Sequence, residues 1–305
     1  MQLKLAYFGT SQFAATVLRR LAVSAFKPTL VITPPDRRQG RGRKVAPPPV
    51  ASEAAELGLQ LHQTPSVNEA DSLRVIKDAA IDVGMVCAFG QLLKPPLLDE
   101  IEMLNVHPSL LPRWRGAAPI ERAIMAGDRE TGVAIMRLTQ GLDSGPVALS
   151  ETVEIGQGED FGALSARLAE IGGDLAVRAL ELRETGDLEF TEQEETGVTY
   201  ADKIEAADRR LDPSRTAAEL ANSVRALNPH VGVYLALEGD DRLGIVRAEA
   251  LTDGPAAGAL EDDGDALVLG AIEGGLRILE VKPAGKRAMQ TADYLRGSPS
   301  PRLAL

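Results

Sequence analysis

"KLAYFGTSQFAATVLRRLAVSAFKPTLVIT", residues 4 to 33, decides the class of fold. "KLAYFGT" is a continuous apolar run closed by Gly9, the pattern of a strand buried on both faces. "SQFAATVLRRLA" then sets Phe13, Val17, Leu18 and Leu21 on one stripe at helical spacing, with Thr10 or Ser11 in place to cap the first turn. "TLVIT" is a second strand. A strand, a helix and a strand in so short a span call for a right-handed crossover, hence parallel pairing and the α/β class. The first turn speaks against a dinucleotide site, because Gly9 is its only glycine and the backbone needs several to approach a pyrophosphate.

The alternation continues outward. Helices are expected from about Ser52 to Gly58 and from about Asp71 to Ala79, with strands in "IDVGMVCAFG" and "MLNVHPSLLP". "APIERAIMAG" reads as a helix with Pro119 at its first position and Gly127 just past its end. "TGVAIMRLT" is a strand, Gln140 to Pro146 a loop, and residues 161 to 185 a long helix stopped at Gly186. After that, "DLEFTEQEETGVTYADKIEAADRR" is charged and aperiodic, which suits a linker. "DPSRTAAELANSVRALNP" is expected to be a helix capped by Asp212, with Pro213 first inside and Asn228-Pro229 ending it. From Gly232 onward, short strands separated by Gly- and Asp-rich turns indicate a small barrel. The expected architecture is a Rossmann-like, mostly parallel sheet with helices on both faces over residues 1–188, a linker over 189–208 and a small barrel domain over 209–305.

Composition bounds the function. The net charge of −11 argues against a polyanion binder that works by bulk attraction, so any nucleic-acid contact must be local. A single cysteine, Cys87, excludes an internal disulfide, and with three histidines it leaves no four-ligand zinc pattern, so no metal is expected. Cys87 lies in an apolar run and reads as a small core residue. No apolar run approaches the roughly 18 residues that span a bilayer, and the start lacks the features of a signal peptide, so a cytoplasmic protein without membrane contact is expected. Against the acidic background, "TPPDRRQGRGRKVAPPPV", residues 33 to 50, gathers Arg37, Arg38, Arg41, Arg43 and Lys44 with no carboxylate among them. A solvated loop is one reading; a focused site for phosphates is the other.

The chemistry concentrates in "NVHPSLLPRWRGAAPIERAIMAGD", residues 105 to 128. Residues two apart on a strand share a face, so Asn105 and His107 project together. "QGLDSGP" delivers Asp143 between Gly141 and Gly145, which let the backbone turn sharply. Singly, each has an ordinary structural role: a turn cap, a satisfied ring, a turn residue. Together, an amide and an imidazole can donate to a developing oxyanion while a carboxylate orients the ring, which is equipment for acyl transfer to an amine. No Gly-x-Ser-x-Gly nucleophile elbow is present.

"NVHPSLLPRWRGAAPI" followed by "TGVAIMRLTQGLDSGPV" resembles the formyltransferase family that uses 10-formyltetrahydrofolate. The resemblance implies that Asn105, His107 and Asp143 form the catalytic trio and that Ser109, Leu110, Leu111 and Pro112 contact the folate co-substrate. It also implies an OB-like fold for the C-terminal barrel. "YFGTSQFA", "PDRRQGRGRK", "LNP" and "VKPAGKRAM" are similar to the branch whose acceptor is methionine esterified to initiator tRNA. On that likeness the partner is initiator Met-tRNA, the enzyme a monomer of the bacterial cytosol, and the basic loop holds the acceptor end. Arg41 is its foremost contact, with Arg37, Arg43 and Lys44 positioning phosphates, and Lys282, Lys286 and Arg287 are further candidates or a solvated turn. Two alternatives stand beside it. Another acceptor, glycinamide ribonucleotide or an amino sugar nucleotide, would use the same trio without needing the basic loop or the barrel. A non-catalytic RNA-binding module would leave the trio without a purpose.

Overall fold

A computed structural model describes residues 3–39, 44–298 and 301–303. The chain divides into two compact units, Met1–Gly116 with Thr131–Val153 and Ser165–Tyr200, and Ala117–Glu130 with Glu154–Leu164 and Ala201–Leu305. The units interleave along the sequence.

A seven-stranded sheet organises the first unit. Its strands are β1 (Leu5–Gly9), β2 (Leu30–Thr33), β3 (Leu61–Gln63), β4 (Val83–Cys87), β5 (Glu102–His107), β6 (Glu130–Arg137) and β7 (Val147–Glu154), in the spatial order β7-β6-β5-β4-β1-β2-β3. From β3 across to β5 every pairing is parallel, and β6 then runs antiparallel to β5. Ser11 caps the helix Gln12–Ala22 by accepting from the Ala14 N–H, and Val17, Leu18 and Leu21 are buried as their spacing predicts. The next helix runs Pro49–Glu56, beginning earlier than expected because Pro49 takes the first helical position. Residues 33 to 50 are not all loop: Arg37–Gln39 pairs antiparallel with Lys44–Ala46. β3 and β7 have no counterpart in the sequence reading. "LHQ" is too short to show a period, and "VALSETVE" is mostly exposed or half-buried and lacks the apolar run that marks the inner strands.

Alternation along β5 divides its residues between the two faces of the sheet. Asn105 and His107 share one face with Met136 and Ala134, their register partners on β6. Val106 points to the other, where the helix Phe161–Thr185 lies. That approach explains two adjacent glycines in the middle of the helix. A Cβ on Gly172 would stand 2.9 Å from Val106 Cγ1, and one on Gly173 would stand 2.7 Å from Arg20 Cβ. Each glycine costs roughly 1 kcal/mol of helix propensity, and what that cost obtains is close packing on the sheet at Gly172 and on the helix Gln12–Ala22 at Gly173.

The second unit contains an antiparallel sheet. Its order is Val233–Ala236, Arg242–Leu251, Gly275–Pro283, Leu267–Gly270 and Leu260–Asp262, with Met289–Gln290 also on Gly275–Pro283. Register shifts between Ile245 and Arg247 and between Arg247 and Ala248 mark bulges, which bend and coil a strand, and the sheet curls into a half-barrel around Leu235, Leu243, Ile245, Leu269, Leu276 and Val281. Mostly parallel sheet and curled antiparallel sheet are the two folds read from the sequence. The helix before this sheet differs from expectation: it starts at Ala217, not Pro213. Thr216 and Glu219 form a capping box that satisfies two orphan N–H groups at once, whereas Asp212 accepts from Ser214 N in the preceding turn. Among the described residues no helix is long and apolar enough to cross a membrane.

Gly173→Ala is expected to lower stability. Overpacking against Arg20 Cβ, typically about 1–3 kcal/mol, outweighs the roughly 1 kcal/mol gained in helix propensity. A denaturant midpoint at or above that of the unsubstituted chain would refute the close-packing account.

Candidate active site

Asn105 and His107 are 8% and 4% exposed on the front of β5. The Asn105 amide makes no side-chain hydrogen bond among the described residues, although buried amides in proteins nearly always have partners. His107 Nε2 lies 2.9 Å from the carbonyl oxygen of Trp114. A carbonyl only accepts, so Nε2 carries the proton, and the remaining ring nitrogen, Nδ1, faces Asp143 Oδ2 at 3.7 Å. That carboxylate oxygen is itself fixed, accepting from the Gly116 N–H at 2.9 Å.

The two residues that meet the imidazole are held in uncommon backbone conformations. Trp114 has φ 63° and Asp143 φ 43°, and among the described non-glycine residues only Ala80 and Ala88 share this left-handed region. Asp tolerates it better than most, whereas a bulky Trp there is an outlier that costs on the order of 1–3 kcal/mol and persists only when its surroundings enforce it. The enforcement is visible. Trp114 N donates to Thr199 Oγ1 and Arg115 N to the Thr199 carbonyl, both at 2.9 Å. Gln193 Nε2 donates to the carbonyls of Asp143 at 2.8 Å and Gly145 at 2.7 Å, and Gln193 Oε1 accepts from Arg115 Nε and Nη2 at 3.0 and 2.8 Å. The indole of Trp114 packs under the Arg113 guanidinium, 4.4 Å from its centroid, so its main chain, not its ring, serves His107.

A cavity of about 400 Å³ opens alongside, walled by Leu110, Leu111, Pro112, Ala134, Val147–Ser150 and Thr191–Glu194. Ala134 is the register partner of His107, which puts this wall next to the imidazole on one sheet face. Of the residues expected to contact folate, Leu110, Leu111 and Pro112 line this space. Ser109 does not: it is fully buried and its hydroxyl donates to the Arg113 carbonyl at 2.7 Å. Arg37, Arg38 and Lys44 are exposed on the hairpin, Lys282, Lys286 and Arg287 are exposed in the second unit, and Arg41 and Arg43 lie outside the described residues.

Sequence reasoning missed Thr199 and Gln193, and missed the use of the Trp114 carbonyl and of Arg115. Gln193 and Thr199 lie in the aperiodic acidic segment. The only mark they carried was to be uncharged hydrogen-bonding side chains in an acidic segment.

The model of the formyl transferase family matches residues 3–180, and that of the formyl transferase C-terminal domain matches residues 203–299. These matches together cover most of the chain, and the chain belongs to the formyl transferase family. Its relatives are more specific. It is 41% identical to the methionyl-tRNA formyltransferase of Methylobacterium sp. (strain 4-46), with all of both chains covered, and 41% identical to that of Neisseria meningitidis serogroup B, with 97% of each covered. Among solved structures, the N-formyltransferase from Helicobacter canadensis in complex with folinic acid and dTDP-3-aminofucose shares the fold at a TM-score of 0.65 and 16% identity, with 90% of this chain and 98% of that one covered.

Cys87 is fully buried at the end of β4, where desolvation pushes its thiol up to about 12, so at neutral pH it stays a thiol rather than the nucleophilic thiolate. An alkylating reagent at pH 8 is expected to label Cys87 only after unfolding, and Cys87→Ala to keep most of the formyl-transfer activity. Rapid labelling of the native chain, checked by mass spectrometry, would contradict this placement.

Proposed function

We propose that the chain transfers the formyl group of 10-formyltetrahydrofolate to the α-amino group of methionyl initiator tRNA, giving N-formylmethionyl-tRNA and tetrahydrofolate. Relatives carrying the name methionyl-tRNA formyltransferase match it at 38–41% identity over nearly their whole length, which supports this acceptor. The observation that carries the chemical reading is the imidazole of His107, fixed on one side by a carbonyl and turned on the other toward Asp143, with an unpartnered amide two residues away on the same face.

The roles follow from donor and acceptor positions. Attack of the amine on the formyl carbon turns the carbonyl oxygen into an oxyanion. Asn105 donates to it through its amide. His107 donates through Nδ1–H when the ring is protonated, because Nε2–H is committed to Trp114. Asp143 supports the charged ring and receives the proton from the attacking amine through water, its distance from Nδ1 exceeding a direct hydrogen bond. Collapse of the tetrahedral species breaks the bond to N10 of the folate, which takes up a proton. The neighbouring cavity has a volume within the roughly 300–1,000 Å³ of small-molecule sites, and Leu110, Leu111 and Pro112 offer the folate an apolar wall. In this reading residues 1–188 carry the chemistry, 209–305 hold the tRNA body, and the protein works as a cytosolic monomer.

Formylation of methionyl-tRNA, with glycinamide ribonucleotide as control acceptor, tests the proposal. Asn105→Ala and His107→Ala should each lower turnover by about a hundredfold or more. Rates within a few-fold of the unsubstituted enzyme, or formylation of the control acceptor in preference to the tRNA, would reject it. Substituting Arg37 and Lys44 together by Ala should raise the KM for tRNA and flatten its dependence on salt, since every phosphate that a cation ceases to neutralise takes about one counterion out of the slope. An unchanged slope would take those two cations out of the tRNA site.

A further inference from the structure

Gln193 is half-buried beside the candidate site, in the acidic segment after the long helix, and its hydrogen-bonding capacity is fully committed. Its amide nitrogen has two protons, and they go to the carbonyls of Asp143 and Gly145; its oxygen takes two N–H groups from Arg115. The orientation is forced, because a flipped amide would aim its oxygen at two carbonyls and its nitrogen at a guanidinium. The carbonyls it holds belong to the Asp143 loop, where Asp143 has the left-handed φ of 43°. The guanidinium it holds belongs to Arg115, which lies between Trp114, whose carbonyl accepts a hydrogen bond from His107 Nε2–H, and Gly116, whose N–H donates to Asp143 Oδ2. One side chain therefore ties together the two strips of chain that flank the imidazole.

We infer that Gln193 is a positioning residue for formyl transfer, setting the separation of Asp143 from His107 by bracing the Asp143 loop against Arg115. The inference rests on the role proposed above for Asp143. It acts on geometry and touches no reacting atom. Misplacement of a catalytic group by about 1 Å can cost up to a hundredfold in rate, so loss of the two donors is expected to appear in turnover.

The test uses the full-length enzyme at saturating 10-formyltetrahydrofolate and methionyl-tRNA, with Gln193→Ala, Gln193→Glu, Asp143→Asn and the double variant Gln193→Ala with Asp143→Asn. Gln193→Glu keeps, and strengthens, the partnership with Arg115 while losing both donors to the loop. A merely structural role through Arg115 would leave it active. The expected result is that Gln193→Ala and Gln193→Glu each lower kcat about tenfold to a hundredfold, with the KM for tRNA within about twofold. In the Asp143→Asn background, Gln193→Ala should cost less than about twofold more, because residues acting as a unit are not additive. Full turnover in Gln193→Glu, or the same factor lost in both backgrounds, would overturn the inference while leaving the proposed function standing. An Asp143→Asn enzyme that turns over normally would remove the role of Asp143, and the inference with it.

Discussion

The imidazole of His107 lies between two groups that only accept hydrogen bonds, the Trp114 carbonyl and the Asp143 carboxylate. Much of the first unit can be understood as the means of holding those two acceptors still. Neither acceptor comes from regular structure, since both belong to residues with left-handed backbone angles in connecting segments. Strand β5 contributes what a rigid scaffold can, two polar side chains on one face, and loops contribute the rest. This division is common where function is built on an α/β frame, with the sheet fixing position and the loops supplying chemistry.

The frame itself depends on close approach. Gly172 lets the long helix lie against Val106 on the back of the sheet and Gly173 lets it lie against Arg20 of the helix Gln12–Ala22, while on the front Gly132 leaves space that Leu110 fills. Gly145 is equally constrained, because a Cβ there would strike the Arg137 carbonyl, so the Asp143 loop folds tightly at its exit from β6. Glycine in these places serves packing, and its cost in helix or strand propensity is borne where a site needs its two sides to come near.

Much of this is legible in the sequence, for identifiable reasons. The apolar runs of β1, β2, β4 and β5 and the stripe of the helix Gln12–Ala22 are strong periodic signals. The pairing of Asn105 with His107 follows from strand alternation alone, and Pro119 and Gly127 bracket their helix as propensity predicts. What escapes notice lacks local signal. β7 is half polar and mostly unburied, so its existence is decided by the neighbour it pairs with. The choice of Thr216 over Asp212 as a cap depends on Glu219 reaching back, a reciprocal bond that Asp212 and Pro213 obscure. Gln193 and Thr199 sit in a stretch whose composition reads as solvated chain, and only the fold reveals how far away in sequence their partners lie.

The brace supplied by those two residues has a consequence for how the protein matures. A chain released in order from its amino end can complete the strands through β7 and the long helix before Thr199 exists, and could then resemble the finished sheet closely. It would still lack the carbonyl restraints on the Asp143 loop and the hydroxyl that fixes Trp114. On the positioning role inferred for Gln193, competence arrives late in synthesis, after the ribosome has released the segment around residue 200.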